Sequence, residues 1–425
     1  MRFITISDIP AHYIVRMYYF EPYKSCSLFG ALRYVANIRN SVCLIHGPSG
    51  CSFFNRNGII RLNGYYSSPI KIDIPKIFTT GFNERDAIFG AEEKLKKAID
   101  ELVEKFKPEV MFVLNCCVTE ITGENIDDIC RRAQEKYSIP IVPVHSAGFK
   151  GDHRVGMHLA ADLLFNNFMR DKAPVRPNSV NIIADFDYFN NTSVEVTQIL
   201  HRIGVQDILH VPGKCSVEEL RTASGASVNL VACGFAGKRL AEMFRKTHGI
   251  PYVGVGVDFY GIEKSYELYS QICDFFQADQ SWLLEMKQDY MKQLEAYKPF
   301  FQGKRAFIVA GMRRTVGYSE ILKELGVSID FIFSECDPTE YKSDLFTKYS
   351  TNIMCNDPAM ELYDRVEREK PDFILSTLSE LIAPHPYITR TDEDFAGFSG
   401  AVRMAQYLKE NLPPEKEPLF VGIQN

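Results

Sequence analysis

The stretch Ser41-Val42-Cys43-Leu44-Ile45-His46-Gly47-Pro48-Ser49-Gly50-Cys51 holds the decisive pattern. Four apolar residues, Val42–Ile45, run without a break into a turn bounded by glycines and ending on a cysteine. An apolar run of that length between turn signals is the mark of a strand buried on both faces, as in a parallel sheet covered by helices. The pattern recurs. Val110–Leu114 runs into Asn115-Cys116-Cys117, and Asn229–Ala232 runs into Cys233-Gly234. In open parallel sheets ligands bind beyond the carboxyl ends of strands, so three cysteine sites fall where a ligand is expected.

Outward from these strands, short apolar runs alternate with amphipathic stretches along nearly the whole chain, which predicts parallel sheets with crossover helices. Ile141–Val144 is a further strand of the first block. Asp86 to Phe106 predicts one helix, with Ile88, Ala91, Leu95, Ile99, Leu102 and Phe106 on one stripe. A second block starts near residue 176, with strands at Val180–Ala184 and Asn229–Ala232 and helices at Val194–Ile203 and Lys238–Thr247. In a third block Ala306–Ala310, Ile329–Phe333 and Phe373–Leu375 read as strands and Ala396–Leu408 as a closing helix. Proline and glycine punctuate Ala173–Asn178 and Tyr297–Gly303, which read as linkers. The expectation is an α/β protein of three doubly wound, Rossmann-like parallel-sheet domains: 1–175, 176–300 and 301–425.

A chain of 425 residues is too long for one simple core, and 46% hydrophobic with 24% charged residues is ordinary globular composition. The net charge of −6, with no basic stretch to offset it, argues against a nucleic-acid partner. No apolar run reaches the roughly 20 residues that span a bilayer. The N-terminus carries Asp8 and Pro10 inside its apolar part and lacks a cleavage site, so it does not read as a signal peptide. A cytoplasmic protein with no membrane partner is the expectation.

Eleven cysteines, odd in number and widely spaced, disfavour a disulfide framework. They leave buried thiols, catalytic thiols or ligands for a soft metal. Cys43, Cys130 and Cys273 lie in apolar or helical runs and read as buried thiols. In the turn before Cys51, Gly47 and Gly50 allow close backbone approach to a bulky ligand, Pro48 stiffens the chain, and N–H groups can bond cluster sulfides. A tight structural turn beside a buried thiol explains the same residues equally well. A structural zinc site shows close C-x-x-C pairs, whereas the only close pair here is Cys116-Cys117. Wide gaps that return to strand ends fit a cluster at a domain or subunit interface better.

Several segments then match a known family in order and spacing. They are Cys26-Ser27-Leu28-Phe29-Gly30-Ala31, the segment His46–Cys51, Thr79–Gly90 (TTGFNERDAIFG), Cys117–Ile126 (CVTEITGENI), Val144–Phe149, Gly156–Asp162, Asn229–Cys233 followed by His248–Pro251, Gly303-Lys304-Arg305 and Lys370-Pro371-Asp372. Together they resemble the nitrogenase component 1 family over about residues 25 to 412. The resemblance implies that Cys26, Cys51 and Cys117 ligate an interfacial iron–sulfur cluster, [4Fe-4S] or larger. It implies that Cys233 anchors a second iron–sulfur-based cluster or its precursor, with Cys116 a spare thiol. Three cysteines leave one position of a cubane open, so a ligand is expected from a homologous or identical component 1 subunit.

Departures from the family pattern bear on activity. Where nitrogenase proper has a second cofactor ligand, a histidine, Ile388–Phe395 (ITRTDEDF) has none, and His385 upstream reads as a loop residue. The family's G-H-H segment is Gly156-Met157-His158, so Met157 replaces a cofactor-bonding histidine, with His153 and Arg154 nearby and His158 structural. Dinitrogen reduction is therefore not expected. Two roles remain. One is a reductase subunit that accepts electrons from an ATP-hydrolysing iron protein and reduces an unidentified substrate near Cys233. That ATPase is a separate protein, because the chain has no GxxxxGK[ST] loop. The other is a scaffold subunit for assembly and transfer of a nitrogenase-type metal cofactor. The chemical diversity of relatives outside nitrogen fixation favours the reductase by a small margin.

Overall fold

Val42–Ile45 forms the centre of β1 (Ser41–His46), a strand with every residue buried. The computed structural model describes residues 25–62, 74–185, 191–213, 215–335, 348–350, 352–355, 365–366, 368–376, 388–390 and 395–412. In the first sheet β1 is joined by β2 (Lys76–Thr79), β3 (Val110–Asn115) and β4 (Ile141–Val144), in the order β2-β1-β3-β4. The second sheet holds β5 (Ser179–Ile183), β6 (Asp207–Val211), β7 (Val228–Val231) and β8 (Tyr252–Val253), in the order β6-β5-β7-β8. The third holds β9 (Arg305–Gly311), β10 (Ser328–Glu335), β11 (Ile353–Cys355), β12 (Phe373–Ser376) and β13 (Ile388–Arg390), in the order β11-β10-β9-β12-β13. Every strand pair among the described residues is parallel, as the uninterrupted apolar runs require.

Strand alternation explains the layering. Cys43, Ile45, Phe112 and Leu114 pack into one cluster with residues of the helices Ser27–Val35 and His153–Leu164. Their neighbours Val42, Leu44, Met111 and Val113 pack into another with Leu95, Ile99 and Ile129 of the helices Glu92–Phe106 and Ile126–Tyr137. The first two sheets lie in one compact unit, Lys24–Gly256 with Phe275–Ala278. The third lies in a second unit that includes Val257–Asp274 and the chain from Asp279 onward.

Two local expectations are corrected. The helix expected over Asp86–Phe106 is two helices, Glu84–Phe89 and Glu92–Phe106. Gly90 turns left-handed between them (φ 83°), and the Glu124 carboxylate accepts the Ala91 N–H at 2.8 Å, starting the second helix afresh. Ile88, expected on the buried stripe, is consequently 75% exposed. The second correction concerns Tyr297–Gly303, expected as a linker. It contains a short helix, Lys298–Phe301, with Pro299 in its first turn and Phe301 fully buried. Among the described residues no helix is long and apolar enough to cross a membrane.

The helices Ser27–Val35 and His153–Leu164 cross at a glycine contact. A Cβ on Gly30 would stand 1.7 Å from the His153 carbonyl oxygen, and one on Gly156 1.9 Å from that of Ser27. We expect Gly156→Ala to destabilise the chain by about 1–3 kcal/mol through overpacking. Gly50→Ala, where a Cβ meets nothing within 4 Å, should be neutral or slightly stabilising. Urea unfolding midpoints of the two variants check this.

Candidate metal-cluster site

In the first sheet the chain leaves β1 for β2 on one side and returns to β3 on the other, so the loops after β1 and β3 diverge. Such a switch point opens a crevice at the strand ends. His46 and Asn115 are the paired last residues of β1 and β3, and the turn to Cys51 and the pair Cys116-Cys117 follow directly. The second sheet repeats the arrangement between β5 and β7, and β7 leads to Cys233.

The turn after β1 is clamped through one peptide group. The Gly47 carbonyl accepts from the Phe82 N–H and the Thr79 hydroxyl, both at 2.9 Å, while the Gly47 N–H donates to Thr80 Oγ1 at 3.2 Å. The loop supplying these groups is fixed in turn. Asn83 and Asp86 form a reciprocal cap on Glu84–Phe89, and Lys94 Nζ donates to Asp86 (2.6 Å) and to the Gly81 carbonyl (2.9 Å). The Thr79–Gly90 segment thus serves to hold the cysteine turn. A side chain at Gly47 is excluded, since its Cβ would lie 2.4 Å from Cys116 Sγ.

Cys117 opens the helix Cys117–Ile121, with buried Cys116 at its N-cap. Thr119 Oγ1 accepts the Cys116 N–H at 3.2 Å and lies 2.9 Å from the His46 carbonyl, tying the two loops together. Glu120 accepts from Asn115 Nδ2 (3.1 Å) and Lys150 Nζ (2.6 Å), and Lys150 also donates to the His145 carbonyl at 3.0 Å. Burial opposes ionisation of Glu120, but the bonds from Lys150 and Asn115 prevail and hold its pKa below the ordinary value. Glu120 thereby pins the 145–151 loop across the site.

Cys26 is the N-cap of Ser27–Val35 and pairs with Asp152 in an antiparallel bridge, with Ser27 N–H to Gly151 O at 2.9 Å and His153 N–H to Ser25 O at 2.7 Å. Gly148 stands between two of the thiols. A Cβ there would lie 3.1 Å from Cys117 Sγ and 3.3 Å from Cys26 Sγ. Cys51 lies in the first turn of Ser49–Leu62, and its interaction with Cys116, then burial, then the charges of Cys116, Cys117 and Cys26 push its thiol upward. Cys116 is drawn down to about 6, by the interaction with Cys51 first and then by backbone N–H groups of Thr119 and Val118, against the effect of burial.

The structure therefore brings Cys26, Cys51 and Cys117 together, with Cys117 exposed, Cys26 and Cys51 half-buried, and Cys116 behind them. The donor set suits a metal cluster. Among the described residues no three His, Cys, Asp or Glu side chains close on a single ion, and soft thiolates around a glycine-lined mouth are what a polynuclear iron–sulfur cluster takes. The helices of Cys51 and Cys117 present Phe53 (71% exposed), Phe54 (67%) and Ile121 (75%), and the segments Glu84–Phe89 and Gly148–Lys150 present Phe89 (78%) and Phe149 (59%). Large apolar side chains so exposed mark a surface that meets a partner. The sequence reading passed over them, and over Gly148, although the Phe53-Phe54 pair two residues after Cys51 was visible.

Cys233 stands apart, as N-cap of the helix Gly234–His248, which begins four residues earlier than expected. Its backbone is pressed by a glycine loop. A Cβ on Gly234 would lie 2.2 Å from the Val255 carbonyl oxygen, and one on Gly256 2.8 Å from Cys233 Cα. Beside it the Arg154 guanidinium lies 5.5 Å over the Phe235 ring, the His153 ring centre is 6.3 Å from that ring, and His158 Nε2 donates to the Phe235 carbonyl at 3.3 Å. His158 is thus structural, as expected, and Met157 is buried. Burial first, then the Arg33 and Arg154 charges against that of Asp152, lower His153 to about 4 and leave it neutral. His385 lies outside the described residues, as do 391–394.

His46 yields a pH prediction. It is fully buried, bonded to Thr80 Oγ1 at 3.1 Å through Nδ1, with Nε2 3.9 Å from Glu124. Burial, opposed by Asp86 and assisted by Lys94, lowers its pKa to about 4. The unfolded chain takes up this proton near pH 6.5 and the folded chain only near 4, so stability falls as pH drops across that window. The loss approaches about 1.4 kcal/mol per pH unit for this group. Urea midpoints at pH 7.5, 6 and 5 should fall progressively, and His46→Gln should flatten the decline. An unchanged slope in that variant counts against the assignment.

Comparison with known proteins follows from this geometry. A family model described as nitrogenase component 1 type oxidoreductase matches residues 26–412. The nitrogenase iron-molybdenum cofactor biosynthesis protein NifE of Clostridium pasteurianum is 31% identical over 312 residues, covering 72% of this chain and 66% of that protein. Its namesake from Rhizobium meliloti is 28% identical over 409 residues, 90% of this chain and 83% of that one. The nitrogenase molybdenum-iron protein alpha chain of Methanosarcina barkeri is 26% identical over 72% of this chain and 59% of its own length. A solved structure described as nitrogenase Cp1 at pH 5 superposes with a TM-score of 0.78 at 22% identity, over 93% of this chain and 91% of that one, and so shares the fold. With the family match running from the first cysteine of the site to the end of the closing helix, this chain belongs to the nitrogenase component 1 type oxidoreductases.

Proposed function

We propose that this chain is a scaffold subunit on which a nitrogenase-type metal cofactor is assembled and from which it is passed on. The observation that carries this reading is the donor set around Cys233: one thiol, with no histidine in Ile388–Phe395 to hold the far end of a cluster. Attachment at one point suits a cargo that must leave. The relatives named for iron-molybdenum cofactor biosynthesis support this reading over the reductase one.

Cys26, Cys51 and Cys117 are assigned to an interfacial iron–sulfur cluster, [4Fe-4S] or larger, whose chemistry when bound is one-electron transfer at low potential. The residues around it do the protein's share. Gly148 leaves room for close approach, Gly47 makes room for Cys116 behind the thiols, Glu120 and Lys150 hold the covering loop, and the fourth position is left to a homologous or identical component 1 subunit. That subunit would cover Phe53, Phe54, Phe89, Ile121 and Phe149. An ATP-hydrolysing iron protein as electron donor, and a cytoplasmic location, complete the proposal.

Anaerobic purification followed by iron, sulfide and EPR measurements tests it. Cys51→Ala should remove a fraction of about four irons and its signal, Cys233→Ala should remove only iron beyond that fraction, and Gly148→Val should lower iron uptake at an unchanged melting temperature. The loaded chain should activate a cofactor-free nitrogenase component, and Cys233→Ala should abolish that transfer. Substrate reduction dependent on ATP and an iron protein, without transfer, would favour the reductase. A chain without iron under these conditions refutes both.

A further inference from the structure

Cys233 does not cap its own helix. As the N-cap of Gly234–His248 it makes no side-chain bond to the turn it precedes, whereas a serine or aspartate at that place would be tied to an N–H two or three residues on. Its thiol therefore stands where the backbone of the first turn puts it. On one side that turn is pressed by the Val255–Gly256 loop, as the tight approaches at Gly234 and Gly256 show. On the other side it is held by two helices that start at the first site. Tyr34, fully buried in the last turn of Ser27–Val35, donates its hydroxyl to the Ala236 carbonyl at 2.9 Å, across 202 residues of chain. His158 Nε2, in the helix His153–Leu164, donates to the neighbouring Phe235 carbonyl at 3.3 Å. Each carbonyl also receives the N–H four residues along its own helix, so the side-chain donors take the second lone pair of each.

The geometry points to Tyr34 as a positioning residue of the Cys233 site, with His158 acting beside it on the same turn. Two donors on two different helices fix two consecutive carbonyls, and two fixed points on one turn set its rotation as well as its place. Apolar packing alone would constrain neither as tightly, because burial is non-directional while a hydrogen bond holds both a distance and an angle. Packing adds to the hold: the Phe235 side chain lies under the Arg154 guanidinium (5.5 Å) and beside the His153 ring. Both helices begin where Cys26 and Asp152 are joined by their bridge. A rigid helical span of about 12 Å separates Cys26 from Tyr34, so the two thiol sites share one frame. This positioning holds whatever Cys233 binds, and its consequence for a cargo rests on the attachment role proposed above.

Hydrogen exchange and thiol labelling of the metal-free full chain test this. Tyr34→Phe keeps the ring and removes the hydroxyl, and should speed exchange of the amides in the Cys233–Leu240 segment about fivefold. Iodoacetamide should label Cys233 several-fold faster in that variant. His158→Met, similar in size, should act alike, and His158→Gln, whose amide nitrogen can take the place of Nε2, should restore slow exchange. Ile99→Val, a loss of comparable size in the core on the other face of the first sheet, should leave both readouts unaltered. In the anaerobically purified chain Tyr34→Phe should keep the iron that depends on Cys51 and carry several-fold less of the iron that depends on Cys233. Exchange and labelling unaltered in Tyr34→Phe overturn the proposal, and so does a rise shared equally by Ile99→Val. Local loosening in a chain that carries no Cys233-dependent iron upholds the positioning and refutes attachment at Cys233.

Discussion

The peptide group of Gly47 is the point on which the first site depends. It accepts two hydrogen bonds and donates one, all to the Thr79–Phe82 loop, and its missing side chain makes room for Cys116. Three segments that are far apart in sequence, after β1, β2 and β3, are thereby locked to a single amide. Buried backbone groups must find partners, and here that requirement aligns the cysteine turn. The parallel sheet brings the loops to one edge, and the Gly47 bonds decide how they sit there.

The same economy appears around Glu120 and Glu124, three residues before and one residue after the turn at Gly123. Glu120 joins the Cys117 helix to the loop that crosses the site, and Glu124 starts the helix Glu92–Phe106 by accepting the Ala91 N–H. Each carboxylate connects segments that the sheet alone would leave independent. Neither is a candidate ligand, and both fix the spacing of the residues that are.

Much of this was legible in the sequence. Uninterrupted apolar runs such as Val42–Ile45 and Val110–Leu114 can be buried on both faces only in a helix-covered parallel sheet, and each led straight to a cysteine. The spacing of Cys26, Cys51 and Cys117 resembled a known pattern, and the fold draws all three to one mouth. What the sequence hid was tertiary. The break at Gly90 depends on Glu124, which is distant in the chain, so a helical stripe ran past it on paper. The place of Cys116 Sγ depends on Gly47 having no side chain, and the place of Gly148 between two sulfurs depends on a loop pinned by Lys150. Local periodicity carries no trace of these long-range contacts.

The bridge between Cys26 and Asp152 also bears on the order in which the site is made during synthesis. Cys26 leaves the ribosome before the other candidate ligands, yet the groups that seat it, Gly151 O and the amide of His153, come after the whole first sheet. The glycine crossing of Gly30 on Gly156 can close only then. Of the three thiols at this mouth, the first to be made is thus the last to be fixed. Until the helix His153–Leu164 has emerged, the nascent chain offers a turn with Cys51 and Cys117 but no complete set of donors, so a metal cluster has no finished place to settle on a half-made protein.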